Sequence, residues 1–255
     1  MVKPKKSLGQ HFLIDKNITE KIAKSLINKD KLIEVGPGEG ALTDFFIKDE
    51  NIDFVAIETD KEAFEFLKEK YPLQEEKFVL ADFLKLDLTQ FFDKEFSIIG
   101  NFPYNISSQI FFKVIDNKEI VTEVVCMIQK EVAERIASKE GNKQYGILSV
   151  LLQAYYNIEY LFTVNENVFN PPPKVKSGVI RVTRNSTTKL NCDEKLFKQV
   201  VKTSFNQRRK MLRVSLKSML NNIDVSKYNI FTKRPEQLTV AEFVTLTNIV
   251  QEAGV

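Results

Sequence analysis

Residues 101–104, Asn-Phe-Pro-Tyr, have side chains and backbone groups that could bind a planar base. They follow an apolar segment, 96–100, that predicts a strand, and they precede a segment, 107–117, that predicts a helix. Pro103 fixes its own φ and restricts Phe102 to an extended conformation, so a tight corner is expected. The corner would present an amide, a carbonyl and an aromatic ring to one pocket. These groups suit a base with an exocyclic amine, although a plain turn with a packed tyrosine would have the same sequence.

A glycine-rich turn is predicted at residues 34–40, Glu-Val-Gly-Pro-Gly-Glu-Gly, where an apolar strand ends. Its glycines, Gly36 and Gly38 among them, allow the backbone to approach a ligand closely. The spacing is G-x-G-x-G rather than the G-x-G-x-x-G of dinucleotide-binding proteins. By itself such a turn would suit NAD, FAD or S-adenosylmethionine.

Two acidic residues end the next two predicted strands. Glu58 could accept hydrogen bonds from both hydroxyls of a ribose. Asp82 could accept one from an adenine amine, with a turn cap as the alternative. Together with the glycine spacing, these acids favour S-adenosylmethionine over NAD. His11 is the only histidine, so no His-based triad is expected, and we assign it a positional role over the cofactor mouth.

Strands that alternate with helices must position these residues. The segments that predict strands are 31–35, 53–57, 78–80, 96–100, 123–128 and 179–182, and those that predict helices are 17–27, 41–47, 61–70 and 107–117. This alternation predicts an α/β fold with a parallel sheet, which binds ligands beyond the carboxyl ends of its strands. Gly36, Glu58, Asp82 and Asn101 fall at four successive strand ends.

The C-terminal part of the sequence predicts helices. An apolar run that follows Gly146 predicts a helix and then a strand, and the pattern from Asp193 onward is helical. Thr239 and Glu242 fit a capping box that begins the last helix. The polar segment 185–191 predicts a boundary between a domain of residues 1–185 and a small helical domain of residues 186–255.

The composition is that of a soluble globular protein, with 43% hydrophobic and 28% charged residues. No apolar run approaches the length of a membrane span, and the lysine-rich N-terminus lacks the apolar region of a signal peptide. Cys126 and Cys192 are too few for a disulfide framework or a zinc site. A cytoplasmic, metal-free protein is therefore expected, with a monomer as the default.

The net charge of +3 is unevenly distributed. Residues 49–95 carry fourteen acidic and six basic side chains, whereas residues 200–220 carry six basic side chains and no acidic one. Residues 168–184 also contain basic but no acidic side chains, Lys174 and Lys176 among them. The distribution predicts a face that binds a polyanion, with two solvated surfaces of opposite charge as the alternative.

At this point the motifs together indicate a family. They are G-Q-H-F-L, E-V-G-P-G-x-G-x-L-T, I-E-x-D, N-F-P-Y-N-I-S, F-N-P-P-P-K-V-x-S, F-x-Q-R-R-K-x-L-R and R-P-E-Q-L-T. In this order, from Gly9 to about Leu246, the chain resembles the rRNA adenine N6,N6-dimethyltransferases, specifically the KsgA-type small-subunit branch. Phe102 stands where that family often has leucine, which matters little if only its carbonyl acts.

The resemblance implies a class I, Rossmann-like S-adenosylmethionine-dependent methyltransferase with a seven-stranded sheet and a small helical C-terminal domain. The implied substrate is a pair of adjacent adenines in the 3′-terminal hairpin loop of small-subunit (16S) rRNA, either free or in an immature small ribosomal subunit, with S-adenosylhomocysteine as product. The implied cofactor positions are His11, Leu13, Gly36, Gly38, Glu58, Asp82 and Asn101.

The expected chemistry depends on geometry rather than on a strong base. The Asn101 side-chain oxygen and the Phe102 carbonyl would accept both hydrogens of adenine N6 and direct the nitrogen toward the methyl donor. Tyr104 would stack on the base, which is worth roughly 1–3 kcal/mol. Phe169 is expected to cover the other face, with core packing as the alternative. The base must leave its stack, and loop bases do so most easily.

RNA contacts are predicted for a basic helix at residues 205–220, with Leu212, Leu216, Met219 and Leu220 on its apolar face. Phosphate contacts of this kind give affinity and salt dependence rather than sequence recognition. The residues predicted to bind RNA are Lys174, Lys176, Arg208, Arg209, Lys210, Arg213 and Lys217.

The sequence is also compatible in part with several rival functions. A methyltransferase of the resistance-conferring large-subunit branch would share the N-terminal motifs, but Q-R-R-K-M-L-R and R-P-E-Q-L-T favour the small-subunit branch. A DNA adenine methyltransferase would need an extended recognition domain, for which few residues remain. A mainly non-catalytic ribosome assembly factor would not need the cofactor motifs, and a nicotinamide oxidoreductase conflicts with the glycine spacing.

Overall fold

The computed structural model describes residues 2–220 and 223–252, which form two compact units. The first unit consists of the described parts of Met1–Glu134 and of Ile158–Arg184. The second consists of Arg135–Asn157 and the described parts of Asn185–Val255. The chain thus passes from one unit to the other beside the predicted boundary at 185, and residues 135–157 also belong to the second unit.

The described residues form nine strands and eight α-helices. The strands are β1 (Phe12–Leu13), β2 (Lys31–Val35), β3 (Asp53–Glu58), β4 (Phe78–Leu80), β5 (Phe96–Asn101), β6 (Val121–Gln129), β7 (Tyr156–Val164), β8 (Phe169–Asn170) and β9 (Ser177–Arg184). The helices are α1 (Lys16–Lys24), α2 (Lys61–Lys70), α3 (Ser107–Asp116), α4 (Lys130–Ala137), α5 (Ile147–Gln153), α6 (Glu194–Asn206), α7 (Leu212–Ser215) and α8 (Val240–Glu252). None of the helices within the described ranges is long and apolar enough to cross a membrane.

Seven strands form one sheet in the order β4-β3-β2-β5-β6-β9-β7. Neighbours from β4 to β6 are parallel, and β9 is antiparallel to β6. Nearly every residue of β2 and β5 is buried, as expected for parallel strands covered on both faces. The predicted α/β fold with a mostly parallel seven-stranded sheet is confirmed. The carboxyl ends of β2, β3, β4 and β5 therefore meet at one edge.

Two short strands outside the large sheet attach the N-terminal segment, residues 2–13, to the rest of the first unit. β1 pairs antiparallel with β8, with Leu13 opposite Phe169. Both side chains are buried and belong to the core cluster that also contains Leu32, Ile99 and Val125. The N-terminal segment is thus fixed by core packing as well as by backbone hydrogen bonds.

The helix predicted at 41–47, after the glycine turn, was wrong. Turns and a single 3-10 helix, Thr43–Phe45, occupy this segment instead. The backbone N–H of Phe46 bonds to the carbonyl of Thr43 at 3.0 Å, and that of Ile47 bonds to the same carbonyl at 3.0 Å. The Thr43 carbonyl thus accepts one 3-10 bond and one α-type bond, and the segment forms no regular α-helix.

The continuous basic helix predicted at 205–220 was also wrong. α6 ends at Asn206, a turn follows, and only the four-residue α7 and a 3-10 helix, Lys217–Met219, remain. The backbone N–H of Leu212 donates to the carbonyl of Lys233 at 2.9 Å, in place of a bond within the helix. A contact distant in sequence therefore overrides the local helical pattern.

The second unit is helical, apart from the first residues of β7, and α6 packs against α5, α7 and α8. Phe205 stacks on Phe243 with ring centroids 6.0 Å apart. The predicted capping box is confirmed, because Glu242 N–H donates to Thr239 Oγ1 at 3.1 Å and Thr239 N–H donates to Glu242 Oε2 at 2.9 Å. Leu212, Leu216, Met219 and Leu220 are buried, as the predicted apolar face required.

Candidate active site

A cavity lies at the shared carboxyl edge of β2, β3, β4 and β5, entirely within the first unit. It is lined by residues 8–13 of the N-terminal segment, residues 34–39, Ala41 and Leu42 at the glycine turn, Ile57, Glu58 and Thr59, residues 81–84, and residues 101–106 of the corner. Most of the residues predicted to bind the cofactor or the base are therefore in one place. The described residues contain no group of three or more histidine, cysteine, aspartate or glutamate side chains that could hold a metal ion.

The glycine turn leaves room for a ligand at Gly36. Its φ is +70°, and a Cβ added there would meet no atom within 4 Å. The Gly36 N–H donates to the Ile57 carbonyl at 3.0 Å, which ties the turn to β3. At Gly38, by contrast, an added Cβ would lie 2.8 Å from the Phe12 ring. The turn is thus packed on one side by the N-terminal segment and open at Gly36.

Glu58 is a buried carboxylate whose backbone partners define its orientation. It is 3% exposed. Its Oε1 accepts from the N–H groups of Thr59 and Asp60, each at 2.8 Å, and its Oε2 accepts from Gly38 N–H at 3.1 Å. Burial raises the pKa of Glu58, against the lowering effect of these hydrogen bonds. The carboxylate therefore connects β3 to the glycine turn at the cavity wall.

Glu34 is a cavity residue that the sequence reasoning missed. It is 1% exposed, and Thr43 Oγ1 donates to its Oε2 at 2.7 Å. Burial raises its pKa to about 8, with further contributions from the nearby Glu58 and Asp44 and an opposing one from the Thr43 hydrogen bond. The available signal was an acidic residue near the end of an otherwise apolar strand. Charged side chains are almost never fully buried unless they have a partner, so an acid in a buried strand indicates a specific role.

Asp82 caps a turn and also lines the cavity. Its Oδ1 accepts from Leu84 N–H at 3.0 Å, so it caps the short 3-10 helix that follows β4. The side chain is nevertheless 41% exposed and lines the cavity. A carboxylate can accept more than one hydrogen bond, so capping leaves acceptor capacity for a ligand.

The N-terminal segment is held beside Glu58 by polar contacts. Lys5 Nζ forms an ion pair with Asp60, and Gln10 Nε2 donates to Asp60 Oδ2 at 3.1 Å. Although burial opposes it, hydrogen bonding to Lys5 and Gln10 holds the pKa of Asp60 below its usual value. Val2 N–H donates to Glu39 Oε1 at 2.8 Å. These contacts keep the segment against the turn and against α2.

The Asn101 amide and the Phe102 carbonyl supply two free acceptors. Asn101 Nδ2 donates to the His11 carbonyl at 2.9 Å, which directs Oδ1 the other way. The Phe102 N–H donates to the Met127 carbonyl at 3.0 Å, and the ring packs in the core against Phe111. Within the described chain, neither Asn101 Oδ1 nor the Phe102 carbonyl oxygen has a hydrogen-bond partner.

Tyr104 and His11 form a stacked pair at the cavity. Their ring centroids are 5.6 Å apart with an interplanar angle of 29°. His11 Nδ1 donates to the Pro171 carbonyl at 2.7 Å, and the Tyr104 hydroxyl bonds to Ser177 Oγ at 2.7 Å. Burial raises the pKa of Tyr104, so the phenol is neutral. Sequence reasoning missed Ser177, because nothing local pairs it with Tyr104.

Leu13 lines the cavity, whereas Phe169 does not. Phe169 is 3% exposed, packs in the core cluster and lies opposite Leu13 in the β1·β8 pair. The structure therefore does not bring its ring to the base pocket in which the sequence analysis placed it. Its surroundings match the alternative of core packing, because Phe169 packs with the buried Leu13 of β1.

The predicted RNA-binding residues differ in their surroundings. Lys174 and Lys176 are exposed in the first unit, and Arg209, Lys210, Arg213 and Lys217 are exposed in the second. No ion pair of these six joins them to another described residue. Arg208 instead donates to the Lys143 carbonyl and lies 4.0 Å from Glu236, so it is engaged within the second unit.

Comparisons with known proteins identify the family. The model of the family described as ribosomal RNA adenine dimethylase matches residues 1–252. The chain is 57% identical to ribosomal RNA small subunit methyltransferase A of Bacteroides thetaiotaomicron, over 99% of this chain and 96% of that protein. It is 52% identical to the protein of the same name from Flavobacterium johnsoniae, over 100% and 98% of the two chains.

Two solved structures share the fold. A dimethyladenosine transferase from Plasmodium falciparum has a TM-score of 0.78 at 22% identity, over 96% of this chain and 99% of that one. The 23S rRNA methyltransferase ErmE has a TM-score of 0.69 at 22% identity, over 93% and 99%. The family match over residues 1–252 confirms the assignment that the motifs predicted: the chain belongs to the ribosomal RNA adenine dimethylase family.

Proposed function

We propose that this protein transfers methyl groups from S-adenosylmethionine to N6 of two adjacent adenines in the 3′-terminal hairpin loop of small-subunit rRNA. The product of each transfer is S-adenosylhomocysteine, and the substrate is an immature small ribosomal subunit in the cytoplasm. The observation that carries the proposal is a pair of acceptors beside the glycine turn, Asn101 Oδ1 and the Phe102 carbonyl oxygen, neither of which has a hydrogen-bond partner among the described residues.

The residues around the cavity fit S-adenosylmethionine. Because Gly36 has no side chain, the space beside its backbone is open, and a ligand can approach the backbone closely there. Glu58 is a buried acceptor for the ribose hydroxyls, and Asp82 is an acceptor for the adenine amine of the cofactor. His11 and Leu13 close the cavity from the N-terminal segment. When bound, the cofactor supplies an electrophilic methyl group.

The corner orients the target amine. Adenine N6 carries two hydrogens, and Asn101 Oδ1 and the Phe102 carbonyl oxygen provide one acceptor for each. With both hydrogens held, the nitrogen lone pair is drawn out of conjugation with the ring. No strong base is needed, because the amine loses its proton after attack. Pro103 keeps the two acceptors in fixed relation.

Tyr104 provides the stacking surface for the extruded base. Tyr104 lies two positions after Phe102 in the chain and also lines the cavity. Stacking of a base on an aromatic ring is worth roughly 1–3 kcal/mol, enough to offset much of the cost of removing a loop base from its stack. A second methylation requires the same pocket to admit N6-methyladenine, which still has one hydrogen for an acceptor.

The similarity to relatives supports small-subunit rRNA as substrate. The relatives named ribosomal RNA small subunit methyltransferase A are 50–57% identical to this chain, whereas ErmE, a 23S rRNA methyltransferase, is 22% identical. The exposed basic side chains that form no ion pair with another described residue supply phosphate contacts in this proposal. They are Lys174 and Lys176 in the first unit and Arg209, Lys210, Arg213 and Lys217 in the second.

The experiment incubates the protein with tritiated S-adenosylmethionine and small subunits that lack the modification, and then maps the labelled nucleosides. We expect label only in N6-methylated and N6,N6-dimethylated adenosine, at two adjacent positions of one hairpin loop. Purified large subunits serve as the parallel substrate. Label in large-subunit rRNA would favour the resistance-conferring branch, and no label in either subunit would favour a non-catalytic role in assembly.

A further inference from the structure

One short segment of the first unit holds both rings at the base pocket. At its beginning the Pro171 carbonyl accepts from His11 Nδ1, and at its end Ser177 Oγ bonds to the Tyr104 hydroxyl, each at 2.7 Å. The two rings that it holds are stacked on each other. The segment therefore determines how the pair is placed in the cavity.

Ser177 is well placed to fix the Tyr104 ring. It is 0% exposed and is the first residue of β9, where it pairs with Gln129 of β6. The neighbouring Lys176 carbonyl accepts from Lys130 N–H at 2.9 Å. The serine hydroxyl is thus attached to the regular part of the sheet, and its position does not depend on a loop.

Tyr104, by contrast, belongs to an irregular corner. It follows β5, and in the sheet β6 lies between β5 and β9. Its side chain therefore spans β6 to reach Ser177. A tyrosine ring has two side-chain torsions, and the hydroxyl oxygen lies on the axis of the second. An anchor at the hydroxyl therefore fixes the first torsion and with it the direction of the ring axis, while the contact with His11 limits the second. Without that anchor, the direction of the ring axis would be held less tightly.

We propose that Ser177 is a positioning residue for methyl transfer, which acts by holding the Tyr104 ring at the orientation in which the target adenine stacks. This inference rests on the proposed function for the identity of the base. His11 stacks on one face of the Tyr104 ring, and the proposal places the base on the other face. A tilt of the ring would move the base, and with it N6, relative to the acceptors of Asn101 and Phe102.

A double-mutant cycle tests the inference with the full chain. Single-turnover methyl transfer to unmethylated small subunits is measured at saturating S-adenosylmethionine for wild type, Ser177→Ala, Tyr104→Phe and the double variant. Loss of one hydrogen bond predicts a rate roughly 3- to 10-fold lower for each single variant. We expect the double variant to be no slower than either single one, because both substitutions remove the same bond.

Ser97→Ala is the matched control. Ser97 is a buried serine of β5, 1% exposed, whose hydroxyl has no hydrogen-bond partner within the described residues. Its removal should leave the rate within twofold of wild type. Affinity for S-adenosylhomocysteine, measured by calorimetry, should be the same for Ser177→Ala and wild type, since a general loss of structure would lower it.

A second readout follows the base directly. A hairpin RNA with 8-vinyladenine at the target position keeps the N6 amine that the two acceptors hold, and its fluorescence falls when the base stacks on an aromatic ring. Wild type and Ser97→Ala should quench it, and Ser177→Ala should quench it less.

Three results would overturn the inference: a Ser177→Ala rate within twofold of wild type, multiplicative losses in the double variant, or equal losses in Ser97→Ala. If the wild type labels only large-subunit rRNA, the proposed function fails, but the same variants compared on that RNA still decide the role of Ser177.

Discussion

Glu58→Gln isolates the charge of a cavity carboxylate while keeping its shape. In the wild type, Oε1 accepts from two backbone N–H groups and Oε2 from one. A glutamine oxygen will take the Oε1 position, where it satisfies two donors. Its NH2 group then faces Gly38 N–H, which loses its acceptor, and the atom that should accept from a ribose hydroxyl becomes a donor.

The expected loss follows from one charge-assisted hydrogen bond. Bonds to charged groups contribute about 1.5–3 kcal/mol, so the dissociation constant for S-adenosylhomocysteine should rise roughly 10- to 150-fold. Isothermal titration calorimetry measures it directly. The free energy of unfolding should also fall, because Gly38 N–H is left without its partner.

Glu123→Gln provides a matched control for this variant. Glu123 is 0% exposed and accepts from the backbone N–H groups of Ile27 and Asn28 at 2.8–3.1 Å, but it does not line the cavity. Its substitution should reduce stability without changing cofactor affinity. Equal affinities for Glu58→Gln and wild type, or equal losses in the two variants, would refute the placement of Glu58 at the ribose.

Three further predictions address the corner, the basic surface and the second buried acid. Asn101→Ala should slow methyl transfer by roughly 100-fold in single-turnover assays, because it removes an oriented acceptor, and affinity for the small subunit in filter binding should stay within twofold of wild type. Full activity would remove Asn101 from the mechanism. Arg209→Glu with Arg213→Glu should weaken RNA binding and reduce the slope of log affinity against log salt concentration by roughly 1.5–2. The exposed pair Lys189→Glu with Lys195→Glu should change neither, and equal effects of the two pairs would contradict the assignment. Glu34 has a pKa of about 8 in the folded protein against 4.5 for the ordinary group, so the free energy of unfolding should fall by up to roughly 1.4 kcal/mol per pH unit across that range. Urea denaturation of Glu34→Gln should therefore show stability that rises relative to wild type from pH 5 to pH 8, and parallel curves would be inconsistent with the buried acid.

The sequence predicts that four candidate site residues lie together, and this placement follows from strand order. Alternating strands and helices place Gly36, Glu58, Asp82 and Asn101 at strand ends, and parallel strands must bring these ends to one edge. No knowledge of side-chain packing is needed for that step. The structure accordingly has all four residues around one cavity.

What the sequence could not predict depends on contacts between distant segments. The Tyr104–Ser177 and His11–Pro171 bonds join residues 73 and 160 positions apart. Neither has a local periodic signal. Phe169 packs in the core because β8 pairs with β1, a two-residue pairing too short to produce a strand pattern. The break after α6 likewise depends on the Lys233 carbonyl, which lies 21 residues from Leu212.

Gly100 shows how one residue in a strand sets the geometry of the corner. A Cβ at this position would lie 2.5 Å from the Val35 carbonyl oxygen, so only glycine lets β5 approach β2 this closely. Val35 precedes the glycine turn, and Asn101 follows Gly100. The distance between the acceptors of the corner and the glycine turn is thus set by a direct contact of two backbones. Because backbone atoms in a sheet move less readily than side chains, the corner and the turn keep their spacing without support from a ligand.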